Sequence, residues 1–91
     1  MDEREIYILP RTAESTFAEL RTLMQGEEDF PATFDEWTRL WAGRHLEEER
    51  EGRKVVLIEV VPAAFAKFCK TRDLPCSWNT LGQFIAAKAQ R

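Results

Sequence analysis

Two short runs dense in β-forming residues, each closed by a proline that opens onto a helical pattern, constrain this chain more than any other feature. The junctions are Tyr7-Ile8-Leu9-Pro10 and Glu59-Val60-Val61-Pro62. Proline lacks the donor a strand ladder needs, so the first strand is expected over residues 4 to 9. The second, Lys54 to Val61, is so rich in β-branched side chains that it reads as a strand buried on both faces or nearly so. The likeness is too short to be a repeat, yet it predicts two strand-then-helix units whose strands pair in one small sheet, with two helices crossing between them. A crossover of that length permits a parallel pair, and an antiparallel one remains open.

The helices are marked by their ends. Thr16 with Glu19 fits a capping box, with Phe17, Leu20, Leu23 and Met24 at helical spacing and Gly26 placed to stop a first helix over residues 13 to 25. Thr33 with Glu36 starts a second, whose one side carries Phe34, Trp37, Trp41 and His45. Glu47, Glu48, Glu49 and Glu51 at its far end oppose the helix dipole, so its last turn is expected to fray before Gly52. Pro62 opens a third helix that ends near Thr71 or Arg72, and Ser77 caps a fourth that reaches about Ala89. The fold class that follows is α+β. About four helices pack on a two-stranded sheet, with strands near residues 4–9 and 54–61, in a single compact domain over residues 1–91.

At 91 residues one domain is the natural reading, and a chain of this size buries only about 60 to 65% of the surface its unfolded form exposes. Its large apolar side chains are therefore mostly committed to folding. The acidic start, Met1 to Glu5, lacks the basic segment and apolar core of a secretion signal, and unbroken apolar runs such as Val55 to Ile58 are far below the roughly 20 residues of a membrane span. A cytoplasmic location without membrane contact is expected. Cys69 and Cys76 are then reduced thiols rather than a disulfide framework, with Cys69 on the apolar side of its helix.

Residue types that carry chemistry are sparse. The one histidine, His45, has no neighbouring nucleophile or orienting group, so packing in the aromatic stripe is favoured over catalysis. No Cys-x-x-Cys or His-x-x-x-His spacing offers a metal site, and Gly26, Gly43, Gly52 and Gly82 are too scattered to cradle a phosphate. Glu27-Glu28-Asp29 lacks the alternating ligands of a calcium loop and is expected to be a solvated acidic loop. Trp37, Trp41 and Trp78 are of the type that anchors interfaces, but a small domain needs them as core. No catalytic, metal or cofactor residues are assigned.

Charge is unevenly spread. Residues 1–61 hold 8 basic and 15 acidic side chains, whereas residues 62–91 hold 5 basic and 1 acidic. Lys67 and Lys70 project from the third helix, Asn79 and Gln83 from the fourth, with Lys88 and Arg91 near its end. Lys67, Lys70, Asn79, Gln83 and Lys88 are thus the candidate binding residues. Two readings follow. The preferred one is a protein-interaction or regulatory module without catalytic activity, binding a protein partner or itself as a homodimer, either through open sheet edges or by meeting an acidic second-helix surface with the basic C-terminal pair. The alternative is a nucleic-acid reader built on a helix-turn-helix-like pair at 62–91, where lysines meet phosphates and amides read adenine.

Overall fold

The computed structural model describes residues 5–90. The chain runs β1 (Ile6–Arg11), α1 (Glu14–Leu23), α2 (Phe34–Arg50), β2 (Lys54–Glu59), α3 (Pro62–Arg72) and α4 (Trp78–Ala89). The strands form one parallel sheet, with Ile6 beside Lys54 at one end and Arg11 beside Glu59 at the other. A parallel pair needs a return path, and α2 supplies it: its 17 residues span about 25 Å, enough to carry the chain back to the start of the sheet. Four helices on a two-stranded sheet make the α+β architecture that the patterning predicts.

Both strands differ from expectation, for one reason each. Arg4, where the sequence begins the first strand, lies outside the described residues. At the other end Pro10 does not stop β1, which continues to Arg11. The Lys54 amide donates to the Glu5 carbonyl at 2.8 Å and the Val60 amide to the Arg11 carbonyl at 2.6 Å. Bonded residues recur at every second position of a parallel ladder, so Glu5, Tyr7, Leu9 and Arg11 turn their backbone groups toward β2, while Ile6, Ile8 and Pro10 turn theirs away. The proline nitrogen therefore sits on the outer side, where its missing hydrogen breaks no ladder bond. By the same count Lys54, Val56, Ile58 and Val60 face β1, and Val55, Leu57 and Glu59 face outward.

β2 stops at Glu59, not Val61, and it is not buried on both faces. None of its residues is fully buried, and Leu57 is 46% exposed, whereas Leu9 of β1, its register partner, is 2% exposed. β-branched density announces a strand, but depth of burial depends on which elements pack over its faces, which the strand's own residues do not encode. The core takes Val60 just beyond the strand, and Val61 precedes the first turn of α3.

The main core gathers Phe17, Leu20 and Met24 with Trp37, Val60, Phe65 and Cys69, and with Leu81, Phe84 and Ile85 of α4. α1 packs on α3, α4 lies against both strands, and α2 lies against both as well. Complete burial of a side chain such as Phe65 contributes on the order of 2 to 3 kcal/mol.

Helix ends show where local patterning was overruled. α1 starts at Glu14, so Thr16 is inside the first turn and not its cap; its hydroxyl donates to the Ala13 carbonyl at 3.2 Å, and Ala13 itself offers no side-chain cap. β1 runs on to Arg11, which leaves only Thr12 and Ala13 before the helix begins. α1 ends at Leu23, and Gly26 does not adopt a left-handed conformation. Thr33 and Ser77 do cap α2 and α4, accepting the amides of Glu36 and Thr80 at 3.1 and 3.2 Å, and Pro62 occupies the first turn of α3. The acidic end of α2 does not fray. Gly52 (φ 84°) lets its amide reach the Glu49 carbonyl and the Arg53 amide reach the Glu48 carbonyl, both at 3.0 Å, closing the helix in a Schellman turn. Glu48, 8% exposed, is held by Arg53 Nη1 at 2.7 Å, which removes the repulsion that the glutamate run implied. Among the described residues no helix is long and apolar enough to cross a membrane.

Candidate functional site

Four of the five candidate binding residues are exposed, and the fifth is engaged in packing. Lys67 and Lys70 are exposed on α3, and Asn79 and Gln83 are exposed one turn apart on α4. Lys88 is half-buried and turned to the sheet: its ammonium donates to the Glu59 carbonyl at 2.6 Å and lies 5.6 Å from the Phe84 ring centre. It belongs to the packing of α4 on β2. Arg72 covers the Phe68 ring at 4.1 Å, and Arg91 lies outside the described residues.

The loop at Glu27-Glu28-Asp29 is exposed at Glu28 and Asp29, as expected of a solvated run, but two of its carboxylates are engaged. Glu27 is half-buried and its Oε2 accepts the Trp78 amide at 2.8 Å, while Asp29 Oδ1 accepts the Trp78 indole N–H at 2.7 Å. Carboxylates favour the positive end of a helix dipole, so these two hold the start of α4 against the α1–α2 connection. Phe30 stacks on Trp78 with ring centres 5.2 Å apart, and Trp41 meets the same indole edge-on at 6.1 Å. Trp37, Phe17 and Phe34 extend the cluster, which places all three tryptophans in packing roles.

The groups with reactive potential are similarly occupied. His45 Nε2 lies 3.3 Å from Glu49 one turn along its own helix. The Cys69 thiol is buried, and burial first, then its hydrogen bond with Cys76, pushes its pKa up to about 12. A thiol so protonated is a poor nucleophile. The Arg53 guanidinium is held above its usual value by its hydrogen bonds to Glu48 and then Glu5. Among the described residues no three His, Cys, Asp or Glu side chains come together as a metal site.

Two further surface features bear on a contact surface. One is a groove of about 460 Å³ between the end of β1 and α2, with Pro10, Thr12 and Ala13 on one wall, Trp37, Trp41 and His45 on the other, and Leu57 at one side. The other is the outer edge of β2. Val55, Leu57 and Glu59 point their amides and carbonyls away from β1; among these groups the Glu59 carbonyl receives Lys88, and Leu57 is exposed in mid-strand. Outer edges are strand-pairing templates unless guarded, and only β1 carries a proline on its outer side. The expectation of open edges foresaw such a surface in general, but not which strand supplied it. Pro10 was the signal visible in the sequence, and the register decides which way its nitrogen faces. Comparison with protein-family models, with curated proteins and with solved structures gives no match.

Proposed function

We propose that this chain is a non-catalytic protein-interaction module of the cytoplasm, with the outer edge of β2 as its contact surface. The observation that carries the reading is the contrast between the two edges. β1 presents Pro10 outward, whereas β2 presents Val55, Leu57 and Glu59 with an uncharged middle and a half-exposed leucine. An edge of this kind binds an extended segment by main-chain hydrogen bonds, and alternate side chains of the added strand give specificity. Cys69 and Cys76, both thiols, fit a reducing compartment.

The nucleic-acid reading has less support. Lys67, Lys70, Asn79 and Gln83 are exposed, but Glu27 and Asp29 stand at the N-terminus of α4. That is the end of a recognition helix that meets base edges and phosphates, and carboxylates there repel both. Lys88 is already engaged with Glu59.

Selection from a displayed library of random peptides tests the proposal. Wild-type protein should enrich peptides with alternating apolar residues, and binding should slow hydrogen exchange at the amides of Val55, Leu57 and Glu59. Leu57→Pro removes an outward amide and no bond to β1, so it should weaken binding by about tenfold or more while the circular dichroism spectrum holds. Peptides that bind the variant equally well, or that protect α3 and α4 instead, would sink the reading.

A further inference from the structure

We infer that Cys69 and Cys76 close reversibly into a disulfide that clamps the junction between α3 and α4 when the surrounding thiol pool becomes oxidised. The inference stands apart from the β2 edge and rests on how α3 ends. Asp73 adopts the left-handed conformation at φ 55°, its amide donates to the Lys70 carbonyl at 3.2 Å, and the Leu74 amide donates to the Cys69 carbonyl at 2.9 Å. Those bonds turn the chain back at the last turn of α3. Two residues on, Cys76 packs against the core cluster that contains Cys69, and a hydrogen bond joins the two thiols. They are the two cysteines of the chain, so neither has a competing partner within it. A buried thiol alone is inert, but one in contact with a second, accessible thiol has a partner for exchange.

Exposure sets the order of events. Cys76 is half-buried and Cys69 is buried, so a small disulfide such as oxidised glutathione reaches Cys76 first. The Cys76 thiolate, its proton lost to water, attacks one sulfur of that disulfide; the S–S bond of the small molecule breaks, and one small thiolate leaves and takes up a proton. Cys69 Sγ then loses its proton and attacks Cys76 Sγ, which breaks the mixed bond and releases the second small thiol. Two protein thiols lose two electrons and two protons, and one small disulfide gains them as two thiols. The raised pKa of Cys69 makes its thiolate scarce. Position offsets this, because a reacting group held in contact acts at an effective concentration far above that of any free thiol. The ring that closes spans only the eight residues from Cys69 to Cys76. A loop this short gains less stability from a cross-link than a long one, so a reducing thiol pool reopens it. The bond fixes the approach to α4, since Cys76 immediately precedes the Ser77 cap and then Trp78, which Glu27 and Asp29 hold.

Trypsin cuts after Lys67, Lys70, Arg72 and Lys88, which places the two cysteines in separate peptides, 68–70 and 73–88. Native full-length chain is incubated with oxidised glutathione at pH 8, quenched in acid and mapped by mass spectrometry. Wild type should yield the linked peptide pair from a monomer lighter by two hydrogen atoms, and dithiothreitol should reverse it. Closing the loop should raise Tm by roughly 5 to 15 °C. Cys69→Ala should stop at the glutathione adduct of Cys76. Cys76→Ser should slow the modification of Cys69 by about tenfold or more, because the accessible thiol is gone. This second variant changes a half-buried position and keeps the test valid where the core variant fails to fold. A stable glutathione adduct on Cys76 of wild type, a linked pair that forms only in urea, or an oxidised form with the Tm of the reduced one would each overturn the inference. So would Cys69 reacting at an unchanged rate in Cys76→Ser.

Discussion

Replacing Glu27 by alanine removes the acceptor of the Trp78 amide at the head of α4, and its cost follows from what that carboxylate does. A hydrogen bond from a backbone amide to a charged acceptor contributes roughly 1.5 to 3 kcal/mol, and a negative charge at a helix N-terminus roughly 0.3 to 1 kcal/mol, partly the same interaction. Ser77 continues to cap the Thr80 amide, so the helix keeps one of its two N-terminal side-chain caps. Glu27→Ala should therefore cost about 2 kcal/mol. Glu27→Gln keeps an acceptor and loses the charge, and should cost about half as much. In a domain of this size about 2 kcal/mol lowers Tm by roughly 8 to 16 °C. Urea unfolding at pH 7, followed by far-ultraviolet circular dichroism and tryptophan fluorescence, reads the difference as a shift in midpoint with an unchanged slope. Glu28, exposed and next in sequence, is the control, and its alanine variant should stay within about 0.5 kcal/mol of wild type. If Glu27→Ala also stays within about 0.5 kcal/mol, or if Glu28→Ala costs as much, the loop is not a cap and the reasoning fails.

Asp73 ends α3 in the left-handed region at φ 55°, and its charge opposes the C-terminal end of the helix dipole, so Asp73→Gly should raise stability by about 1 kcal/mol, seen by calorimetry as a higher Tm. In native protein at pH 8, alkylation with iodoacetamide followed by peptide mass mapping should label Cys76 well before Cys69, whose thiol is buried with a pKa raised to about 12. The native state holds that proton while the unfolded chain loses it near pH 8.5, so the native state binds more protons above that point and stability falls as pH rises from about 8.5 toward 12, by at most about 1.4 kcal/mol per pH unit. Cys69→Ala should remove that part of the slope.

How much of the candidate site could be read in advance depended on whether its signal was local. The exposure of Lys67, Lys70, Asn79 and Gln83 follows from helix periodicity, and it was legible. The engagement of Lys88 was not, because its acceptor is a carbonyl 29 positions away whose direction depends on sheet parity. Glu27 and Asp29 look like any acidic loop until Trp78, some 50 positions later, is brought to them. The open edge of β2 lay between these cases. Proline at position 10 was visible, but its meaning required the register that says which way its nitrogen faces.

The sequence by itself determined the number, kind and order of the elements, because periodicity, proline placement and caps such as Thr33, Ser77 and Pro62 act over a few residues. It also pointed to packing roles for the tryptophans, since a chain this short commits most of its large apolar side chains to folding. Only the tertiary structure decided that the strands run parallel, that β1 and not β2 is the buried one, and that α2 keeps its acidic end through Arg53. Each of these depends on which distant groups become neighbours. Local propensity carries no term for that, and burial, strand direction and the neutralisation of charge consist of little else.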